Sequence, residues 1–279
     1  MPGPTQEQTQ TPFVITATAD ATQGPTNTPL PSQSPTSDTA ALNKQIKAAN
    51  VLYYDDPDAD LRLVPRVDKA VQAFGFSGGT ILNASNRPGT FVTQLQDQRW
   101  DLVILSVESR ETVNIGDTGF FNGIYEHINR GGALIVETWN LDEDQSSLGG
   151  LLLNACDAHV EKDWHRGEDF ELGKFVLFKL PNAGNIFEEP RLIEMPLHPT
   201  IFWEGDAGDF IRLSPDGSSH LLAGEPSPYE DNYGLLTSCL DGRMVLQTFS
   251  THDYPLYQTV RLYQNMMHYT LSNYFSGMK

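Results

Sequence analysis

The architecture of this chain can be inferred from one segment, Gly131-Gly132-Ala133-Leu134-Ile135-Val136-Glu137-Thr138-Trp139-Asn140. Two glycines precede four apolar residues, and a polar stretch follows them, which is the pattern of a turn, a short strand and a loop. An all-apolar strand is typical of the middle of a parallel sheet, where helices cover both faces. Because ligands of open α/β sheets bind at the carboxyl ends of such strands, the loop should face the functional edge. It carries Glu137 and Trp139 but no obvious nucleophile, which limits every enzymatic interpretation.

Ahead of this segment, short apolar runs alternate with segments whose apolar residues have helical spacing. This pattern predicts βαβ units and a parallel sheet with right-handed crossovers. The expected strands are 51–54, 80–82, 101–107 and 133–136, and the expected helices are 64–76, 90–98 and 120–128. Farther along, we expect helices at 146–158 and 256–275, a strand at 174–179, and hairpins at 210–222 and 233–249. The predicted fold class is α/β: a flavodoxin-like, doubly wound, mainly parallel sheet with helices on both faces and antiparallel hairpins in the second half.

Residues 1–45 differ in composition from the rest of the chain. Up to Thr39 the sequence is dominated by Thr, Pro, Gln, Ser, Ala and Asn, which cannot bury enough apolar surface to fold. We therefore predict a disordered linker over 1–45, partly of polyproline type, and an α/β domain over 46–279. Such a tether resembles the stalk of an exported or surface-anchored bacterial protein. This favours an extracellular or cell-surface location with a signal or lipid anchor ahead of Met1, and a cytoplasmic location stays open as the alternative.

The net charge of −18 argues against two classes of partner. Nucleic-acid binding draws its affinity from Lys and Arg on phosphates, and an anionic membrane surface repels an acidic chain. The simplest interpretation of the charge is solubility. No apolar run reaches the ~20 residues that a membrane span requires.

The chain has two cysteines, Cys156 and Cys239. A pair permits one disulfide in an oxidising compartment. The alternative is two separate buried thiols, which is the interpretation that the sequence favours slightly.

Four motifs occur in an order and spacing that suggest a family. They are the strands 51–54 and 100–105, the segment 128–136, the run Leu197-His198-Pro199-Thr200-Ile201, and the segment 242–252 followed by a helix with Leu262 and Asn265. Together they cover about residues 48–275, and the chain resembles the class I glutamine amidotransferase-like superfamily, including its trehalose-utilisation (ThuA-like) branch. The resemblance implies the same flavodoxin-like α/β fold.

The resemblance does not extend to the catalytic residues. The family's amidase chemistry uses a Cys at the elbow after the 131–136 strand, with a His and a Glu after the last strand. Here the elbow holds Glu137, Thr138 and Trp139, and Cys156 lies too far along to replace the nucleophile. His252 occupies the family's His position, but Tyr254 stands where its Glu should be. The resemblance thus implies the fold, whereas the missing catalytic residues argue against glutaminase activity.

The loop Asp55-Asp56-Pro57-Asp58-Ala59-Asp60 is rich in carboxylates, which are the ligands of Ca²⁺ and Mg²⁺. The alternative is a solvated acidic turn. Further acidic residues should lie at the same sheet edge, namely Glu108, Glu137, Asp142, Glu143 and Asp144. Carboxylates so close together repel one another unless a cation lies among them, and otherwise they should titrate above their ~4 reference values.

Other residues allow a functional and a structural interpretation. His252 and Asp253 could form an acid/base pair, or His252 could be a loop histidine bonded to its neighbour. Trp139 could stack on a sugar ring, or it could be an aromatic side chain at the edge of the core. His198 is expected in a turn and His159 and His165 on the surface. Ser106 stands where response-regulator receivers carry their phosphate-accepting Asp, which argues against that class.

The sequence leads to one functional hypothesis and one alternative. The hypothesis is a non-catalytic amidotransferase-like domain of an exported, tethered protein, binding a small polar ligand (carbohydrate among the candidates) or a protein at the carboxyl edge. The alternative is a hydrolase using carboxylates and His252, with or without a metal, which requires His252 and Glu137 within ~3 Å of a common reacting atom. The candidate site residues are Asp55, Asp56, Asp58, Glu108, Glu137, Trp139, His252 and Asp253; His252 and Glu137 are the catalytic candidates, Asp55, Asp56 and Asp58 the metal candidates. No cofactor is expected other than Ca²⁺ or Mg²⁺.

Overall fold

Strands and helices alternate through the amino-terminal part of the computed structural model, which describes residues 37–56, 63–85, 87–107, 118–141, 147–164, 175–200, 207–225 and 233–278. The first elements are α1 (Ser37–Lys47), β1 (Val51–Asp56), α2 (Arg66–Phe74), β2 (Ile81–Asn83), α3 (Pro88–Asp97), β3 (Leu102–Val107), α4 (Thr118–Asn129), β4 (Ala133–Thr138) and α5 (Ser147–Ala155). They are followed by β5 (Ala158–Asp163), β6 (Phe178–Lys179), a 3-10 turn (Pro181–Ala183), β7 (Asp209–Leu213), β8 (His220–Gly224), β9 (Leu236–Cys239), β10 (Met244–Gln247), a second 3-10 turn (Thr251–Asp253) and α6 (Leu256–Gly277).

The described strands form an eight-stranded sheet in the order β2-β1-β3-β4-β10-β9-β8-β6 and a separate two-stranded sheet, β5-β7. The first five strands of the large sheet run parallel, and β9, β8 and β6 join antiparallel. This is the flavodoxin-like α/β fold that the sequence predicts. The strand that follows the glycine pair, β4, lies in the middle of the sheet and is buried along its whole length, as expected.

Alternate residues of the central strands feed two apolar cores, one on each face of the sheet. On one face, Tyr53, Ile104 and Ile135 pack with residues of α2 and α6. On the other, Leu134 and Val103 pack with residues of α3, α4 and α5. The period of two places successive side chains of a strand on opposite faces, so a strand in this position must be apolar throughout.

The described part of the chain begins inside the segment that the composition assigns to the linker. Helix α1 covers residues 37–47, so the boundary expected at residue 45 falls inside a helix. The chain divides into Met1–Pro35 and Thr36–Lys279, and α1 belongs to the second unit. The helix is held because Ile46 is buried in the same core as α6. The disorder predicted up to Thr39 falls mainly on residues outside the described part of the chain.

Two of the predicted hairpins have different outcomes. The hairpin at 233–249 is confirmed as β9 and β10, and residues Leu240, Asp241 and Gly242 of its turn have positive φ. The hairpin at 210–222 is wrong, because β7 pairs with β5 whereas β8 pairs with β9 and β6. The prediction fails because the sequence predicts no strand over β5, so β7 is paired with the next strand along the chain instead of with its true partner.

Cys156 and Cys239 form a disulfide, which corrects the prediction of separate thiols. Cys156 directly follows α5, and Cys239 ends β9. Both are buried in the core on the α5 face, where the packing of α5 brings their Cα atoms to 4.8 Å. No helix in the described ranges is long and apolar enough to cross a membrane.

Candidate functional site

A row of four polar side chains crosses the carboxyl ends of the central parallel strands. Asp55 of β1 is in register with Ser106 of β3, Ser106 with Glu137 of β4, and Glu137 with Gln247 of β10. Residues in register on neighbouring strands project to the same face, which here is the face covered by α2 and α6. We call these four residues the polar row.

The carboxylate of Glu137 is the best-connected group of the polar row. One oxygen, Oε1, accepts hydrogen bonds from Gln247 Nε2 at 3.0 Å and from the backbone N–H of Thr251 at 2.7 Å. The other, Oε2, accepts from Ser106 Oγ at 2.8 Å and from the hydroxyl of Tyr263 in α6. A carboxylate has about four lone-pair sites, so these four donors occupy them all.

Glu137 therefore serves as an internal anchor. Its side chain is 1% exposed and connects β3, β10, the second 3-10 turn and α6. Burial and the negative charge of Glu137 raise the pKa of Tyr263 well above its ordinary value, so the phenol remains a donor. With its lone pairs occupied, the carboxylate is not free to take a proton from a substrate.

Asp55 is also buried, but only one of its two carboxylate oxygens has a hydrogen-bond partner among the described residues. Its Oδ2 accepts from the backbone N–H of Asp68 in α2 at 3.1 Å, whereas Oδ1 has no hydrogen-bond partner among the described residues. Burial raises its pKa to about 7, and the charge of Glu137 adds to this, against the lowering effects of the Asp68 N–H and His252. The pKa of Asp55 is thus raised mainly by burial, and the repulsion between carboxylates that the sequence suggests is the smaller cause.

His252 lies in the second 3-10 turn, close to Asp55, and its ring is engaged with the backbone. Its Nε2 is 3.1 Å from the carbonyl oxygen of Val64, and because a carbonyl only accepts, Nε2 carries the proton of the neutral ring. Burial and the charge of Arg66 lower the pKa of His252. Arg66 in turn donates to the carbonyl oxygens of His252 and Tyr254, both at 3.3 Å.

Three other predicted site residues, Asp56, Trp139 and Asp253, are buried. Asp56 follows Asp55 in the strand and points to the opposite face, where Tyr54 donates to it at 3.3 Å, so the two carboxylates share the carboxyl end of β1 but not a face of the sheet. Trp139 is 1% exposed and packs inside the protein, which favours its interpretation as an aromatic side chain of the core over stacking on a ligand.

The metal prediction finds little support in the residues that can be described. Asp58, Glu108, Asp142, Glu143 and Asp144 lie outside them. Within the described ranges, no group of three or more His, Cys, Asp or Glu side chains could hold a metal ion. Of the three metal candidates, Asp55 is the one described on the face of the polar row.

Three residues of this site, Gln247, Thr251 and Tyr263, are not predicted from the sequence. Ser106 enters the sequence analysis only as evidence against a response-regulator receiver. A signal for the polar row is present in the sequence, because a polar residue directly follows each of the four apolar runs that end at Tyr54, Leu105, Val136 and Leu246. Aligning those ends would have placed Ser106 and Gln247 beside Glu137. Tyr263 gave no such signal, since one more aromatic residue in a helix is typical of core packing.

We expect Asp55→Asn to raise the free energy of unfolding by about 2 kcal/mol near pH 8, without a comparable gain near pH 4. The pKa of Asp55 is about 7 in the folded protein, against an ordinary value of 3.8. The folded state therefore keeps a proton that the unfolded state loses, so the stability it provides is full below about pH 4 and is lost as the pH rises to about 7. Asn keeps an acceptor for the Asp68 N–H and carries no charge.

Urea denaturation of the wild type and of Asp55→Asn across this pH range measures the effect. Asp56→Asn, on the opposite face of the same strand, is the matched control and should follow the wild type. A difference between wild type and Asp55→Asn that does not change with pH would contradict the prediction.

Comparison with known proteins does not assign the chain to a family. No protein-family model matches the sequence, and no curated protein sequence matches it. The class is therefore defined by the fold itself: a flavodoxin-like α/β domain whose central strands end in a buried polar row.

Proposed function

We propose that this chain is a non-catalytic, amidotransferase-like binding domain that takes a small polar ligand at the carboxyl edge of its sheet. One observation carries the proposal. At the strand end where the family it resembles has its nucleophilic elbow, this chain has Glu137, buried and fully hydrogen-bonded. An anchor at this position supports the loss of acyl-transfer chemistry, which requires an activated nucleophile.

The position of the ligand follows from the strand order. In β2-β1-β3-β4 the direction of winding reverses between β1 and β3, and open α/β sheets bind ligands in the crevice outside such a switch point. Asp55 and Ser106 stand on those two strands, near their carboxyl ends. Asp55 supplies an unsatisfied oxygen there, which a bound polar group would satisfy.

The geometry supports a hydrolase less well than it supports a binding domain. That reaction needs Glu137 and His252 to act on a common atom, but Glu137 already accepts four hydrogen bonds and His252 Nε2 lies on the carbonyl oxygen of Val64. We also propose that the protein is exported, and the Cys156–Cys239 disulfide supports this because such bonds persist in oxidising compartments.

Hydrogen–deuterium exchange tests the binding proposal. Wild-type protein is incubated with glucose, trehalose, glycine or ethanolamine, each at millimolar concentration. Under the proposal at least one of them protects peptides covering 51–56, 102–107 or 248–254. Protection confined to the cavity of about 460 Å³ lined by Ile46, Phe74 and His268, or no protection by any probe, would contradict it.

A glutaminase assay tests the non-catalytic part. Wild-type protein should release no ammonia from glutamine. Release that disappears in His252→Ala would show that the domain is an enzyme.

A further inference from the structure

We propose that the ligand group that enters beside Asp55 is a protonated amine, which donates a hydrogen bond to Oδ1 of Asp55. This rests on the proposed function, because it specifies the chemistry of the ligand at that same site. Two features of the site favour an amine: the hydrogen-bonding capacity that the described residues leave unused, and the charges around Asp55.

The unused capacity consists of two acceptors, Asp55 Oδ1 and Gln247 Oε1, and one hydroxyl, Thr251 Oγ1, which can donate or accept. These three buried side-chain oxygens have no hydrogen-bond partner among the described residues. Asp55 and Gln247 belong to the polar row, and Thr251 donates its backbone N–H to Glu137 in the same row. The donors of the row are engaged, since the Ser106 hydroxyl and the Gln247 amide both bond to Glu137. A ligand that fits this edge must therefore bring donors.

The charges around Asp55 favour a cation. The carboxylates of Glu137 and of Asp68 in α2 both act on it, and the hydroxyl of Tyr263 from α6 is held protonated. His252 has a lowered pKa, and the positive charge of Arg66 is directed at the carbonyl oxygens of His252 and Tyr254. An anionic ligand would be repelled by this arrangement.

An ammonium group meets both requirements. It has three N–H donors and no acceptor. A neutral hydroxyl has a single donor, and its lone pairs would face the lone pairs of the carboxylates, which is unfavourable. A divalent cation needs six or more oxygen ligands, and the described residues bring no group of three ligating side chains together. Because the hydrogen bond is charge-assisted and buried, losing it should weaken binding about tenfold to a hundredfold.

The test is an NMR titration of the amide signals at about pH 8, above the pKa of about 7 of Asp55, so that most of the carboxyl group is ionised. The backbone N–H of Asp68 bonds directly to Asp55 and is the reporter. The probes are ethylammonium, tetramethylammonium, which has the charge but no N–H, and ethanol, which has a donor but no charge. We expect ethylammonium to shift the Asp68 signal with saturation, and the other two to bind about tenfold more weakly or worse.

Variants locate the effect. Asp55→Asn should lose at least tenfold in affinity for ethylammonium, and Asp56→Asn on the opposite face should match the wild type. If Asp55→Asn does not fold, the comparison of the three probes on wild-type protein decides alone.

Each result separates this inference from the proposed function. Equal binding of ethanol or tetramethylammonium overturns the inference, as does unchanged affinity in Asp55→Asn. If ethylammonium leaves the Asp68 signal in place while glucose or trehalose still protects the carboxyl edge in hydrogen exchange, the inference fails and the binding function stands. If no probe affects that edge in either experiment, both fail.

Discussion

Replacing Glu137 by Ala is expected to lower the free energy of unfolding by about 3–5 kcal/mol and the melting temperature by roughly 10 °C. The change leaves four buried donors without their acceptor: the side chains of Gln247, Ser106 and Tyr263 and the backbone N–H of Thr251. An unsatisfied buried donor costs about 1–3 kcal/mol, and water entering the vacated space recovers part of the total.

Urea denaturation with matched controls measures this loss. Glu126→Ala removes a carboxylate from an exposed position on α4 and should stay within about 0.5 kcal/mol of the wild type. Glu137→Gln keeps one acceptor oxygen and should fall between the wild type and Glu137→Ala. A loss below about 1 kcal/mol in Glu137→Ala would mean that the four hydrogen bonds do not act as an anchor.

Removing the Cys156–Cys239 bond is expected to cost about 4 kcal/mol. The two residues are 83 positions apart, and closing a loop of that length restricts the unfolded chain by about 4–5 kcal/mol in the chain-entropy description. The bond also joins α5 to β9, so its loss should loosen the apolar core on that face of the sheet.

The measurement compares unfolding of the wild type with and without a reductant. The double variant Cys156→Ala/Cys239→Ala should resemble the reduced wild type and should not respond to the reductant. If oxidised and reduced wild type unfold at the same urea concentration, the bond does not contribute to stability and the prediction is wrong.

The sequence contains enough information to predict the parallel half of the fold. The apolar runs ending at Tyr54, Leu105 and Val136 fix three strands, and the helices between them follow from the spacing of apolar residues. The polar residues that end these runs predict where the site lies, because carboxyl ends of parallel strands share one edge.

The chemistry of the site could not be predicted in the same way. From the sequence, Glu137 is a candidate base because nothing nearby shows that its carboxylate is already hydrogen-bonded. Its partners are far away along the chain, Tyr263 at 126 positions and Thr251 at 114. Whether a carboxylate is saturated or unsatisfied depends on such long-range contacts, and local patterns contain no information about them. The same holds for the pairing of β5 with β7 and for the disulfide.

The anchor at Glu137 has a consequence for engineering. Introducing a thiol at position 137 would provide a nucleophile and, in the same change, remove the acceptor that connects two strands, a turn and a helix. A single substitution would thus increase reactivity and decrease stability, a trade-off that is common at active sites. A designer who wants a reactive version of this domain should leave Glu137 in place and build at the Asp55 end of the polar row, where one oxygen has no structural partner in the described part of the chain.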